Sequence, residues 1–125
     1  MLRAKAHGLV VTGKNLHYEG SLTLGRDVME AAGFYPLEHV EVYNVSNGAR
    51  FTTYVIPGRY GEVVLNGAAA RLGEVGDVII VAAYDCVADP GSHVARVAVF
   101  QNNKVKEVRE VKLYSSGAAS LWRLG

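Results

Sequence analysis

Apolar and polar positions alternate only over short stretches of this chain, and glycine interrupts the pattern repeatedly. The segments between the glycines are rich in Val, Ile, Tyr and Thr, which predicts many short strands joined by tight turns. The clearest segment is HVEVYNVSNGARFTTYVI, residues 39–56. Val42, Asn44 and Ser46 fall on one face of its first strand and Glu41, Tyr43 and Val45 on the other, an imperfect alternation. Asn47-Gly48 marks a hairpin turn. The return strand is expected from about Arg50 to Ile56, with Pro57-Gly58 stopping it. GEVVLNG (61–67) and GDVIIVAAYDCV (76–87) read as two more strands. The unbroken apolar run of the second predicts burial on both faces, with Cys86 a buried strand residue. VARVAVFQNNKVKEVREVKLY (94–114) reads as a hairpin turning at Asn102-Asn103, with charges alternating on its outer face. NLHYEGSLTLG (15–25) also reads as a strand, yet holds a Gly20-Ser21 pair in its interior.

Helix is scarce. RDVMEAAG (26–33) predicts one short helix, with Asp27 as N-cap, Glu30 completing a capping box and Gly33 as the stop. NGAAARLGEVGD predicts a second, shorter one starting near Ala68. Many short strands with small helices give a mainly β fold, and closure into a barrel removes its exposed edges.

Length and composition narrow the class. The 125 residues fit one domain, residues 1–125, and half of them are hydrophobic. A net charge of +1 gives no electrostatic case for nucleic acid or a membrane surface, and no apolar run reaches spanning length. One cysteine rules out an internal disulfide framework, and His39 and His93 lack partners at metal-ligand spacing. The opening MLRAKAHGLVV has no export-signal pattern, so a soluble cytoplasmic protein is expected. The tail SSGAAS (115–120) is a run of small residues with no assigned role.

Gly20-Ser21 is the position with distinctive chemistry. A serine hydroxyl can attack the carbonyl of the residue before it and turn the amide into an ester. Glycine leaves that approach open and tolerates the backbone geometry required. Elimination from the ester leaves a dehydroalanine, and hydrolysis with loss of ammonia leaves a pyruvoyl ketone. The dipeptide alone is common and reads far more readily as a turn or a bulge.

NLHYEGS, YNVSNGARFTTYVI, VLNGAAA and VGDVIIVA follow one another in this chain, and together they resemble the pyruvoyl-dependent aspartate 1-decarboxylase family. The likeness runs from about Lys5 to Phe100. It implies a double-psi β-barrel, assembled as a homotetramer. It also implies self-cleavage between Gly20 and Ser21, giving a β chain 1–20 and an α chain 21–125 that begins with the pyruvoyl group. The implied reaction converts L-aspartate to β-alanine and carbon dioxide for pantothenate synthesis, through a Schiff base on that group. The ends of the chain depart from the family pattern, and Tyr43 stands where many members carry tryptophan. Whether a maturation factor assists cleavage is left open by the sequence.

The resemblance also assigns residues. Ser21 becomes the pyruvoyl group, and Tyr54 is the proton donor, four residues from Arg50 and so on the same strand face. Arg50 offers a planar fork to a carboxylate. Thr53 binds substrate and takes part in cleavage, yet strict alternation turns it away from Tyr54, so a bulge or twist is expected near it. Backbone N–H groups of Gly67, Ala68 and Ala69 are placed to receive a carboxylate, and Asn66 adds a side-chain donor. Lys5 is a second cation for a dicarboxylate or, equally, a solvated surface lysine. His7 reads as a hydrogen-bonded strand histidine, and His17 and Tyr18 adjoin the scissile bond. Glu19 sits close enough to act as a base but is equally an exposed turn residue. Two rival readings stand beside this one: a β-barrel that binds an anion without catalysis, and a serine hydrolase using Ser21 with His7 or His17, for which no acidic orienter is evident.

Overall fold

The alternating segments become nine strands in the computed structural model, which describes residues 1–113. They are β1 (Leu2–Val10), β2 (Gly13–Asn15), β3 (Ser21–Gly25), β4 (His39–Asn44), β5 (Arg50–Gly58), β6 (Val63–Asn66), β7 (Val78–Tyr84), β8 (Val94–Gln101) and β9 (Lys104–Lys112). One helix, α1 (Arg26–Ala32), and two 3₁₀ segments, Gly67–Leu72 and Pro90–Ser92, are the other helical elements among the described residues. The small-residue tail lies outside them.

The strands pair in the order β2-β6-β3-β5-β4-β7-β1-β8-β9. The two ends of the run from β2 to β1 are one chain segment, because β1 passes through Val11 and Thr12 into β2. Val11 N donates to Asp77 O, and Thr12 bonds Val63 through both its backbone and its hydroxyl. The ring therefore closes on itself, with β1 bordering β7 and its continuation bordering β6. Three pairs are parallel (β1 with β8, β2 with β6, β3 with β5), and the other five, including the consecutive run β5-β4-β7-β1, are antiparallel. This closed, mainly β architecture is that expected of a double-psi β-barrel. Leu9, Leu22, Leu24, Val40, Val55 and Leu65 are among the fully buried side chains that fill it. Burial of such aliphatic groups stabilises the fold by about 1.5–3 kcal/mol each.

The hairpin signals hold. Asn102 and Asn103 adopt φ 53° and 58°, the left-handed pair that a two-residue turn needs. The Asn103 side chain then accepts from Val10 N at 2.8 Å and donates to Val10 O at 2.9 Å, fastening the turn to β1. The β4–β5 hairpin also forms, but β4 ends at Asn44, whose side-chain oxygen accepts from Ser46 N and Asn47 N. Ser46 and Val45 thus belong to the turn and not to the strand.

Other expectations need correction. Asp27 does not cap α1; β3 runs directly into the helix, leaving Gly25 at the N-cap without a side-chain bond. The Asp27 carboxylate instead accepts from Gly61 N at 3.1 Å. Gly33 does stop the helix, at φ 81°. Pro57-Gly58 does not stop β5, which runs on to pair with Leu24 and Gly25. Pairing with β4 ends at Tyr54, so the missing proline N–H falls where the strand has one neighbour only. β7 is buried on both faces from Val81 to Ala83, but Cys86 lies beyond it and is exposed. β9 is exposed along both faces for most of its length rather than on one outer face. The second helix is a 3₁₀ segment that begins at Gly67.

Candidate active site

Residues 16–20 form a turn and a bend rather than strand, and Ser21 is the first residue of β3. Gly20 is exposed while Ser21 is 1% exposed, so the chain passes from solvent to interior across this one peptide bond. The antiparallel register sets Ser21 opposite Asn66, the last residue of β6. Asn66 is itself 3% exposed. Its Nδ2 donates to Ser21 Oγ at 3.1 Å and to Thr23 Oγ1 at 2.9 Å. Ser21 and Thr23 are two apart on a strand and so share a face. With both amide hydrogens used, the Asn66 side chain is fixed in orientation. Ser21 Oγ accepts in this pair, which leaves its proton and a second lone pair free.

Gly67 holds the adjacent backbone. It adopts φ +58°, and a Cβ there would lie 2.8 Å from Gly20 Cα and 2.9 Å from both Gly20 N and Tyr18 O. The start of the 3₁₀ segment therefore packs main chain to main chain on the Gly20 turn. A Cβ on Gly20 would meet nothing within 4 Å. The crowding comes from Gly67, not from space around Gly20 itself.

A cavity of about 170 Å³ opens beside this junction. Gly20, Ser21, Thr53, Asn66, Ala68 and Ala69 line it, with Phe51, Thr52 and Leu72. Thr53 reaches the cavity in a regular strand: β4 and β5 pair from His39–Tyr54 to Tyr43–Arg50 without a register shift. The expected bulge near Thr53 is absent. Alternation sets Phe51 and Thr53 on one face and Arg50, Thr52 and Tyr54 on the other, exposed one, from which Thr52 alone also borders the cavity. Thr53 and the pair Arg50 and Tyr54 thus stand on opposite faces of an unbent strand.

Arg50 and Tyr54 do not line the cavity, and neither does Lys5, half-buried on β1. Lys5 stands in register with Ala82, which stands in register with Glu41, so it belongs to the outer wall of the barrel. On that wall the Arg50 guanidinium stacks 3.9 Å over the Tyr43 ring. The Tyr43 hydroxyl lies 2.7 Å from Tyr84 Oη and donates to Glu41 at 3.0 Å. Burial, then the bonds to Tyr84 and Glu41, hold the Tyr43 phenol well above its usual pKa and keep it neutral. His7, His17, Tyr18 and Glu19 are exposed, and the side-chain partner of Ser21 is Asn66, not a histidine. Among the described residues nothing resembles a Ser-His-acid triad.

Two features of the site were missed by sequence reasoning. Thr23 shares the Asn66 amide with Ser21, and only its i, i+2 spacing from Ser21 hinted at a common face. The contact of Gly67 with Gly20 has no local signal at all, because it joins two turns distant in the chain.

Fold and site together define a closed β-barrel with a buried serine hydroxyl fixed beside a small cavity. Comparison with known proteins narrows this class. A family model described as aspartate decarboxylase matches residues 1–107. The chain is 83% identical over 113 residues to "Aspartate 1-decarboxylase" of Pyrobaculum islandicum, covering 90% of this chain and 94% of that one. It is 51% identical over 122 residues to the protein of the same name from a Sulfurihydrogenibium species, covering 93% and 91%. Against the Bordetella pertussis protein of that name the identity is 44% over 115 residues, covering 88% and 94%. The chain belongs to the aspartate decarboxylase family.

Proposed function

We propose that this chain decarboxylates L-aspartate to β-alanine and carbon dioxide, using a ketone made from its own Ser21. Decarboxylation of aspartate follows from membership of the family. The observation that carries the ketone is the junction at Gly20-Ser21: a buried hydroxyl held by Asn66, next to a glycine whose backbone Gly67 braces.

The residues present fit such a group. Ser21 Oγ attacks the Gly20 carbonyl carbon, the C–N bond breaks, and the nitrogen becomes the free amine of residue 21. A base then removes the Cα proton of residue 21, and the Gly20 carboxylate leaves as the double bond forms. Water adds, ammonia departs, and a ketone remains at the head of an α chain 21–125, with a β chain 1–20 beside it. Asn66 orients the attacking oxygen. Thr53, on the same cavity, supplies a hydroxyl for the Gly20 carbonyl as it takes up negative charge. The ketone supplies an electrophile for the substrate amine and a sink for the electrons left when carbon dioxide departs.

Ala68 and Ala69 present small side chains to the cavity, so a substrate carboxylate can approach the N–H groups of Gly67, Ala68 and Ala69, with Asn66 as a further donor. Lys5 and Arg50 as carboxylate partners and Tyr54 as proton donor lie on the outer wall. In a homotetramer they would serve substrate held in the cavity of a neighbouring copy. The product would supply pantothenate synthesis in the cytoplasm. Among the described residues no helix is long and apolar enough to cross a membrane.

The test is turnover. Incubation with L-aspartate is expected to give β-alanine and carbon dioxide in equal amounts, and pre-treatment with phenylhydrazine, which captures ketones, is expected to abolish it. Turnover untouched by the reagent overturns the ketone. Aspartate bound but never consumed favours the anion-binding barrel instead.

A further inference from the structure

β9 ends the sheet. Among the described residues its strand neighbour is β8 alone, and Lys104 to Glu110 are all exposed, including Val105 and Val108. It contains no proline or glycine. The register irregularity against β8 falls at Val99/Phe100, so the strand is regular from Glu107 to Lys112. Such an edge presents a row of free N–H and C=O groups, and lysines on it discourage indiscriminate pairing.

The order of side chains along the edge is the informative part. Lys104-Val-Lys-Glu-Val-Arg-Glu-Val-Lys112 is complementary to its own reverse about Val108. Two copies laid antiparallel on a two-fold axis through Val108 set Glu107 opposite Arg109 of the second copy and Lys106 opposite its Glu110. Val105 then meets Val111, and Val108 meets itself. Only the Lys104–Lys112 pair, at the solvated ends, is like against like. Moving the axis one residue either way sets Glu107 on Glu107 or Arg109 on Arg109. Parallel in-register pairing sets every charge on its own kind. Directly opposed pairs of unlike charge stabilise antiparallel strands and like pairs destabilise them.

We infer that β9 is an interface for a second copy of this chain, paired antiparallel about Val108. A closed two-fold contact of this kind uses one patch twice, so each substitution acts twice. The inference does not rest on the proposed chemistry; a chain that never cleaves would pair in the same way.

The experiment is sedimentation of the full chain over a range of concentrations, with E107R, R109E, the double variant E107R/R109E, and an equimolar mixture of the two single variants. Both substituted positions are exposed, and circular dichroism checks that the fold is retained. Each single variant places like charges across the axis and is expected to associate about tenfold or more weakly than the native chain. The double variant exchanges the charges and is expected to recover native association. The mixture is expected to recover it too, since one variant then brings two arginines to the axis and the other two glutamates. Single variants that assemble like the native chain overturn the interface. So does a double variant or a mixture that stays as dissociated as the single variants, because either result excludes this register.

Discussion

Asn44 and Asn66 are both asparagines at the end of a barrel strand, both 3% exposed, and they do opposite things. Asn44 holds a turn. Its Nδ2 donates to Leu72 O at 3.2 Å and to Asp77 Oδ2 at 2.9 Å, and its Oδ1 accepts from Ser46 N and Asn47 N. Asn66 faces hydroxyls, those of Ser21 and Thr23. A buried amide that satisfies main-chain groups fixes the path of the backbone. A buried amide that holds side-chain hydroxyls fixes where an oxygen sits, and under the proposed function that oxygen is the attacking one. Burial of a polar group does not by itself distinguish the two; what the group holds does.

The largest effect that can break this contrast is at the oxygen itself. Ser21→Ala removes the attacking atom, and it is expected to leave a single uncleaved, fully folded chain with no decarboxylation, read by mass and by β-alanine formation. Next come the two amides. Asn66→Ala is expected to slow cleavage by about a hundredfold, the scale for removing one positioned donor from a reacting oxygen, while thermal stability falls only modestly. Asn44→Ala is expected to reverse the pattern: about 2–4 kcal/mol of stability lost through unpaired buried groups, with cleavage retained. If both variants lose stability and neither loses cleavage, the contrast is gone.

Smaller effects sharpen it. Thr23→Val removes the second acceptor of the Asn66 amide, and it is expected to slow cleavage about tenfold, the cost of one lost orienting bond; Thr23→Ser restores the acceptor and should restore the rate. The smallest effect is acidic. Hydrogen bonds from the Asn44 side chain and from Glu74 N hold the Asp77 carboxyl below its ordinary value of 3.8. The folded chain therefore binds fewer protons there than the unfolded one, so the contribution is complete above the ordinary carboxylate range and is lost as pH falls through the lowered value. Thermal midpoints followed from about pH 5 to about pH 3 should fall less steeply for Asp77→Asn than for the native chain.

The same contrast explains what could be read from the sequence. Both hairpins, the Gly33 helix stop and the oddity of Gly20-Ser21 rest on residues within a few positions of one another. Their chemistry is local, and the structure keeps them. The partnership of Ser21 with Asn66 spans 45 residues and depends on strand register, which no local pattern fixes. The same is true of the brace from Gly67 to Gly20. Thr53 shows the cost most plainly: its assigned role needed a bulge only while Arg50 and Tyr54 were assumed to share its cavity. Asp27 failed as a cap for a similar reason, since the turn at Gly61, far along the chain, takes its carboxylate.

The most direct measurement is the intact mass of the purified chain under denaturing conditions. The account predicts two fragments that meet after Gly20, the larger one lighter by one ammonia than a fragment beginning with plain serine. A single chain with the mass of the full sequence, unchanged after prolonged warm incubation, would contradict it. A larger fragment that keeps its amine would contradict it too, because the ester would have hydrolysed without making a ketone.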